Sequence, residues 1–474
     1  MSRRKILLVH PPHLAEWRGL VPHIGQAYLA QTLQDNGIHC DVFDMNLGYK
    51  LKHLQRKLHE FQPDFLGMSL ISMGYKSFYR LLSEVKRLYP DLKIIVGGPH
   101  VTILKEKVLQ ECSAVDYGVT FEGEGALLEI CQGKIPDSNI QGLLFRDQDR
   151  IVYTGDRDFV LDLDTLPWPR YEQFELKKYI PEKTIYSSRG CPHQCIFCPN
   201  KLISSYFRAR SPLNVVDEME YWYRLGYRQF NFDDDNFNLL RDRVFQICDA
   251  IERRGLKNLV LRCSNGIRAD RVDKEMLFRM RQVGFKYIAF GADAGNNRML
   301  EIIKKGETIE DIEQAMQDAI DLGYETKLLF VIGTPYETLR DVEDKVKMTR
   351  KYPVQEVHFY NLIPYPGTEL FDWVKAHNYF LIQPEEYLND CSSMTKTPVF
   401  QTPELPQKVR LELSRYLEKV RREVHRQALQ RLLPRNNFLR ASASYLLVND
   451  LFENLFYRSP ALRKFIDGIR YRHA

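Results

Sequence analysis

Short apolar runs recur along the first third of the chain, each followed by a stretch of helical spacing. "KILLVH" (Lys5 to His10), "HCDVFD", "DFLGMSL", "KIIVGGPH" and "VDYGVTFEGEG" read as strands bounded by Pro and Gly turns. Between them, "IGQAYLAQTLQDNG" and "FYRLLSEVKRLYP" have helical periodicity. Strands alternating with helices predict βαβ units and a doubly wound parallel sheet for residues 1–150. "VLDLDTLPWPRYEQFELKKYI" (Val160 to Ile180) has no period and carries Pro and Trp, so 151–182 reads as a linker. The alternation restarts at Lys183. "KTIYSS", "RQFNFDD", "LVLRCSN", "KYIAFGA", "YETKLLFVIG" and "QEVHFYNLI" are six strands, with runs such as "VVDEMEYWYRLG" between them. Six βα units over 183–376 predict a partial (β/α)6 TIM barrel. Residues 377–474 read as a mostly helical cap.

Composition narrows the class. The chain has 474 residues, 44% hydrophobic and 27% charged, which suits a soluble protein of two or three domains. "MSRRKILLVHPPH" has an apolar run too short for a signal peptide, so the expected compartment is cytoplasmic. The net charge of +5 is uneven. From Gln401 onward there are 15 Lys and Arg against 7 Asp and Glu, a surplus of 8 that leaves the first 400 residues at −3. Within that tail, "FLRASASYLLVNDLFENLFYRSPALRKFI" spaces apolar residues helically. It reads as a cap over the barrel's open side, with peripheral contact to anionic lipid as the other reading.

Nine cysteines, six of them scattered singly, do not suggest a disulfide framework. The other three, Cys191, Cys195 and Cys198, sit within "SSRGCPHQCIFCPN", on the loop after the first barrel strand. Barrel enzymes place their chemistry at that face. A tetrahedral zinc site wants four protein ligands, as does a fully ligated iron–sulfur cluster, and no fourth cysteine completes this set. His193 lies too close in the chain to do so without strain. A [4Fe–4S] cluster on three thiolates leaves one iron open for a substrate or cofactor.

The CxxxCxxC spacing, with Gly190 before it and the aromatic Phe197 before the last cysteine, resembles the radical S-adenosylmethionine (SAM) superfamily. "NFDDDNF", "FGADAGNNRMLEIIKKGET", "FVIGTPYET" and "YPGTEL" are similar to the branch with an amino-terminal cobalamin (B12)-binding-like, Rossmann-like domain. The resemblance covers about residues 5 to 375. It implies reductive cleavage of SAM to a 5′-deoxyadenosyl radical that takes hydrogen from an unactivated carbon. Carried onto this sequence, it gives Cys191, Cys195 and Cys198 as cluster ligands. Phe197, Asp234, Asp293, Arg268 and Gly333 become SAM contacts, with Asp233, Asp235 and Lys305 as further candidates. Asp293 stands where the branch usually has Glu, one methylene longer.

The same resemblance implies cobalamin at the carboxyl ends of the first sheet. The candidates there are Pro12, Ser69, Ser72, Gly97, Gly98, Glu122 and Gly123. The Asp-x-His-x-x-Gly motif that supplies an axial histidine in other cobalamin proteins is absent from "DVFDMNLG". His10, His13, His23 and His100 flank strand ends without forming a motif. The expected reaction is methyl transfer to carbon. The alternatives are radical cyclisation, isomerisation or ring contraction without methyl transfer and, from another class, a non-catalytic iron–sulfur sensor or scaffold. Implied partners are a small-molecule or lipid-linked substrate and a one-electron reductant such as flavodoxin or ferredoxin, with no nucleic acid.

Overall fold

The computed structural model describes residues 4–12, 20–389, 397–432 and 459. The chain divides into two compact units. One is Met1–Ile180 with Leu202–Ser204 and Pro384–Cys391; the other is the remainder from Pro181 onward.

In the first unit, β1 (Lys5–His10), β2 (His39–Asp44), β3 (Phe65–Ser69), β4 (Lys93–Gly97) and β5 (Tyr117–Val119) are parallel. Their apolar runs are continuous because both faces are covered: Ile6, Leu7, Leu8 and Val9 are each at most 2% exposed. Helices α1 (Ile24–Asp35), α2 (Leu51–Phe61), α3 (Tyr75–Leu88), α4 (Pro99–Leu104), α5 (Glu106–Glu111) and α6 (Gly123–Gln132) connect the strands and follow the last of them. The chain goes to one side of β1 for β2 and to the other side for β3, so strand order reverses at β1. Ligands of such sheets lodge at the carboxyl ends beside that reversal.

Two features depart from expectation. An antiparallel hairpin, β6 (Leu143–Asp147) and β7 (Arg150–Tyr153), extends the sheet beyond β5. The expected boundary at 150 therefore falls on the first residue of a strand. The stretch expected to be a linker packs within the first unit as far as Ile180. Tyr171, Phe174, Tyr179 and Ile180 are buried, and the Tyr179 hydroxyl donates to the buried Asp44 at 2.7 Å.

In the second unit, β8 (Glu182–Ile185) is followed by a two-residue ribbon, β9 (Ser188–Arg189) with β10 (Arg208–Ala209). Then come β11 (Gln229–Phe232), β12 (Val260–Ile267), β13 (Phe285–Asp293), β14 (Glu325–Ile332) and β15 (Glu356–Asn361). The six longer strands form one parallel sheet in chain order, the expected partial barrel. A short helix α7 (Asn200–Ile203) follows the cysteine loop. Helices α8 (Pro212–Arg224), α9 (Arg241–Arg253), α10 (Lys274–Gln282), α11 (Asn297–Ile302), α12 (Ile309–Asp321), α13 (Leu339–Lys351) and α14 (Glu369–Ala376) continue the unit. The short α15 (Pro384–Tyr387) belongs to the first unit. Side-chain hydroxyls or carboxyls of Ser211, Asp273, Thr308 and Thr368 cap α8, α10, α12 and α14.

The last described helix, α16 (Gln407–Leu432), covers the edge strand β15. Its Leu417 and Val420 join Leu405, Ile332, Val342 and Val346 in one apolar cluster, so the edge is not left open. The fully buried Arg410 donates to the carbonyls of Phe400 (2.6 Å) and Ile332 (3.1 Å) and to Asn361 (3.0 Å). No helix among the described residues is long and apolar enough to cross a membrane. The basic apolar stretch after residue 432 and its proposed lipid contact lie outside the described residues.

Candidate functional site

The three clustered cysteines are half-buried, whereas Cys40, Cys112, Cys131, Cys248 and Cys263 are buried. Gly190, in a left-handed conformation at φ 87°, turns the chain from β9 into the cysteine loop. Three anchors hold that loop. The Ile196 amide donates to Ile303, and its carbonyl accepts from Leu370. Asp235 accepts from the Asn200 side chain at 2.6 Å. Asp234, 1% exposed, accepts from the amides of Ser187 and Ser188 (both 2.7 Å) and from the Ser187 hydroxyl (2.5 Å). Arg243 closes the base through the carbonyls of Ser187 and Arg210. Asp234, expected as a SAM contact, thus has its oxygens engaged by the strand end that carries the loop.

Burial raises all three thiols above the ordinary value, Cys198 to about 12, while Lys305 and Arg268 pull Cys191 and Cys195 part of the way back. A coordinated metal is what would hold such thiols as thiolates. Three thiols on one short loop are the donor chemistry that an iron–sulfur cluster takes. The buried Nε2 of His193, within the same loop, has no hydrogen-bond partner.

Beside the loop lies a buried charge network. Asp293, at φ 58° after a register shift between β13 and β14, pairs with Lys305 at 2.6 Å. Burial pulls the Lys305 ammonium down, but Asp293 and Glu307 more than offset this and hold it raised. Arg268 pairs with Asp270 (2.7 Å) and Glu307 (2.9 Å) and donates to the carbonyls of Lys305 and Gly306. Its guanidinium, expected at SAM, secures the chain after α11. At Gly333, φ is 94° and a Cβ would lie 2.5 Å from the Arg410 guanidinium, so the bare position accommodates α16. Phe197 is half-buried within the loop.

In the first unit, Pro12, Ser69, Gly97 and Gly98 lie at or just beyond the carboxyl ends of β1, β3 and β4. Gly98, at φ 89°, is required by the chain itself: a Cβ would meet the Ser69 hydroxyl at 2.5 Å and the Leu70 carbonyl at 2.9 Å. Glu122 accepts from the Val160 amide just before Gly123 opens α6. The Ser72 hydroxyl meets His100 Nδ1 at 3.1 Å while Tyr79 meets Nε2 at 2.9 Å. His100 is fully buried and held down to about 4, by burial first and then by Lys107. His10 pairs with Asp44 and Asn46, and His23 caps α1. Asn46 stands two residues after Asp44, where the missing motif would have its histidine. Of the four histidines expected at these strand ends, His10, His23 and His100 have structural partners, and His13 lies outside the described residues. The open strand ends fit a corrin bound without an axial histidine.

The inward face of the partial barrel escaped the sequence reading. By register, Glu182, Asn231, Arg262, Tyr287, Lys327, Glu356, His358 and Tyr360 share the face opposite the helices. Lys183, on the other face, lies against Trp222 of α8. The signal was the alternation itself, as in Gln-Phe-Asn-Phe of β11. A surface cleft of about 510 Å³, lined by Lys257, Arg281 and Lys286 among others, lies at the far ends of the strands from the cysteine loop.

Comparison with known proteins agrees with this arrangement. A family model described as the Radical SAM superfamily matches residues 185–349, and one described as a B12 binding domain matches residues 13–131. "Uncharacterized methyltransferase PH0819" of Pyrococcus horikoshii is 27% identical over 394 residues, 80% of this chain and 85% of that protein. The anaerobic magnesium-protoporphyrin IX monomethyl ester cyclase of Rubrivivax gelatinosus is 27% identical over 392 residues, 77% of this chain and 69% of that protein. Among solved structures, the radical SAM methyltransferase TsrM of Kitasatospora setae superposes with a TM-score of 0.72 at 16% identity, covering 99% of this chain and 100% of that one. The cobalamin-dependent radical SAM enzyme OxsB gives a TM-score of 0.71 at 15% identity, covering 100% of this chain and 75% of that one. The chain thus joins a radical SAM domain to an amino-terminal B12-binding domain.

Proposed function

We propose that this chain is a cobalamin-dependent radical SAM enzyme that transfers a methyl group to an unactivated carbon of a small molecule. The observation that carries the reading is three half-exposed thiols on one anchored loop at the mouth of a partial barrel, in a chain that also has a B12-binding domain. When bound, the cluster and SAM supply a hydrogen-abstracting radical, and cobalamin supplies the methyl group.

The protein's own residues hold and orient. Cys191, Cys195 and Cys198 would hold the cluster through their thiolates. The Asp234 and Arg243 clamps fix the strand end that carries those thiols. Phe197 and the Asp293–Lys305 pair would contact SAM, the latter offering a carboxylate and an ammonium to its polar groups. Pro12, Ser69, Gly97, Gly98, Glu122 and Gly123 form the cobalamin-side surface. An external one-electron donor such as flavodoxin or ferredoxin completes the system.

A second reading, radical cyclisation without methyl transfer, is favoured by the cyclase relative, which matches at the same 27% identity as the methyltransferase. The test is anaerobic reconstitution with iron, sulfide, hydroxocobalamin and SAM under a low-potential reductant. Formation of both 5′-deoxyadenosine and S-adenosylhomocysteine is expected. 5′-Deoxyadenosine alone would favour cyclisation. If protein lacking any one of the three cysteines still formed it, the cluster assignment would fall.

A further inference from the structure

Asp293 ends β13 in an uncommon conformation. Its φ of 58° is one that residues other than glycine seldom adopt, and it falls where the register between β13 and β14 shifts. Backbone of this kind persists where the surroundings over-determine it. Here the surroundings are the first turns of α13, which receive the loop that follows Asp293.

Three contacts seat that loop. Asn296, the cap of α11, donates through Nδ2 to Asp341 (2.9 Å) and Asp344 (3.0 Å) of α13. Arg298 donates to Asp341 at 2.5 Å. Between Asp293 and Asn296, Gly295 lets the two backbones touch. A Cβ there would lie 2.4 Å from the Lys345 amide nitrogen and 2.7 Å from the Asp344 carbonyl carbon. Asp341 is 5% exposed and also accepts from the amide (2.8 Å) and hydroxyl (2.6 Å) of Thr338. Burial raises its carboxyl, but Thr338, Asn296 and Arg298 more than offset this and hold it well below the usual carboxylate range. The helix is itself fixed to the end of β14. The fully buried Lys345 ammonium donates to the Val331 carbonyl at 2.6 Å and pairs with the fully buried Glu337, which accepts from the amides of Gly333 and Thr334. Moving α13 away from the loop would break buried bonds on both sides of it.

We propose that Asp341 and Gly295 are positioning residues for SAM: by seating the loop on α13 they hold Asp293 where its carboxylate meets the Lys305 ammonium. Their effect passes through Asp293. The inference rests on the reading of the Asp293–Lys305 pair as a SAM contact. A purely structural role is different in kind. Asp311 makes the same capping box with Thr308 on α12, and its loss costs stability alone.

The test uses the full chain, anaerobically reconstituted with iron and sulfide, with SAM binding measured by equilibrium dialysis and referred to cluster-loaded protein. Asp293→Asn should weaken SAM binding about 10-fold, and Asp341→Asn several-fold. In the double variant the Asp341 change should add nothing to the loss of SAM affinity, while its cost in melting temperature persists in full. Asp311→Asn should lower the melting temperature and leave SAM affinity as it was. Hydrogen exchange at residues 292–298, followed without SAM, should quicken in Asp341→Asn and in Gly295→Ala but not in Asp311→Asn. Full SAM affinity in Asp341→Asn, losses that add in the double variant, or unaltered exchange in the loop overturns the inference. Failure of the underlying reading looks different: Asp293→Asn would bind SAM normally while loop exchange in Asp341→Asn still quickened, and the SAM role proposed here would fall with it.

Discussion

Three consecutive aspartates end β11, and each meets different surroundings. Asp233 faces the lumen, where burial and then its acidic neighbours raise it to about 7. Asp234 clamps the cysteine loop, and Asp235 bonds Asn200. As a string of letters they are equivalent; only the register of the sheet separates them. Replacing Asp234 with Ala leaves the buried amides of Ser187 and Ser188 without an acceptor, at about 1–3 kcal/mol for each. The expected result is a lower melting temperature and reduced iron retention with all three cysteines intact. Unchanged iron content would remove its role as a clamp. His100 gives a pH prediction. Its folded value, about 4, lies below the ordinary 6.5, so the unfolded chain binds the extra proton first. This stability is fully present above about pH 6.5 and is lost as the pH falls toward 4, by up to about 3 kcal/mol. Denaturant melts across that window should show the slope, and His100→Gln should flatten it.

At the scale of elements, α16 is held by apolar contact and by Arg410. Truncation after Pro406 would expose Ile332, Val342 and Val346, and aggregation on size-exclusion chromatography is the expected outcome. Leu417→Ala, a milder change, should cost about 2–4 kcal/mol in chemical denaturation. A soluble truncation with full cluster content would show that the edge of β15 needs no cover. Strands buried on both faces were readable from sequence because runs such as "ILLV" are continuous. The β6–β7 hairpin was not, since "LLFRDQDRIVY" mixes apolar and charged residues on a half-exposed edge. The barrel strands were placed correctly, but which way their polar alternates point was not legible. They face the lumen, because helices cover the other side. Of the site, the cysteine spacing was legible because metal ligation constrains neighbours in the chain. The contacts of Arg268 with residues 305–307 and of Gly333 with Arg410 were not legible, because those partners lie tens of residues away.

At the scale of the whole molecule, two cofactors should leave separate footprints in hydrogen exchange. Hydroxocobalamin should slow exchange at the carboxyl ends of β1, β3 and β4, around residues 10–12, 69–72 and 97–100. Cluster reconstitution should slow it at 187–200 and at the anchors near Ile303 and Leu370. Protection confined to the cysteine loop under both additions would mean that the first unit does not take up the corrin. The contact of Gly333 with Arg410 reaches further than stability. The position is barred twice over: by the guanidinium at 410, and by a φ of 94° that strains any L side chain. Gly333→Ala should therefore be destabilising, and shortening Arg410 should relieve only part of the loss. Across relatives, glycine should accordingly persist at 333 even where 410 changes, the inherited sequence of the barrel answering first to its own backbone.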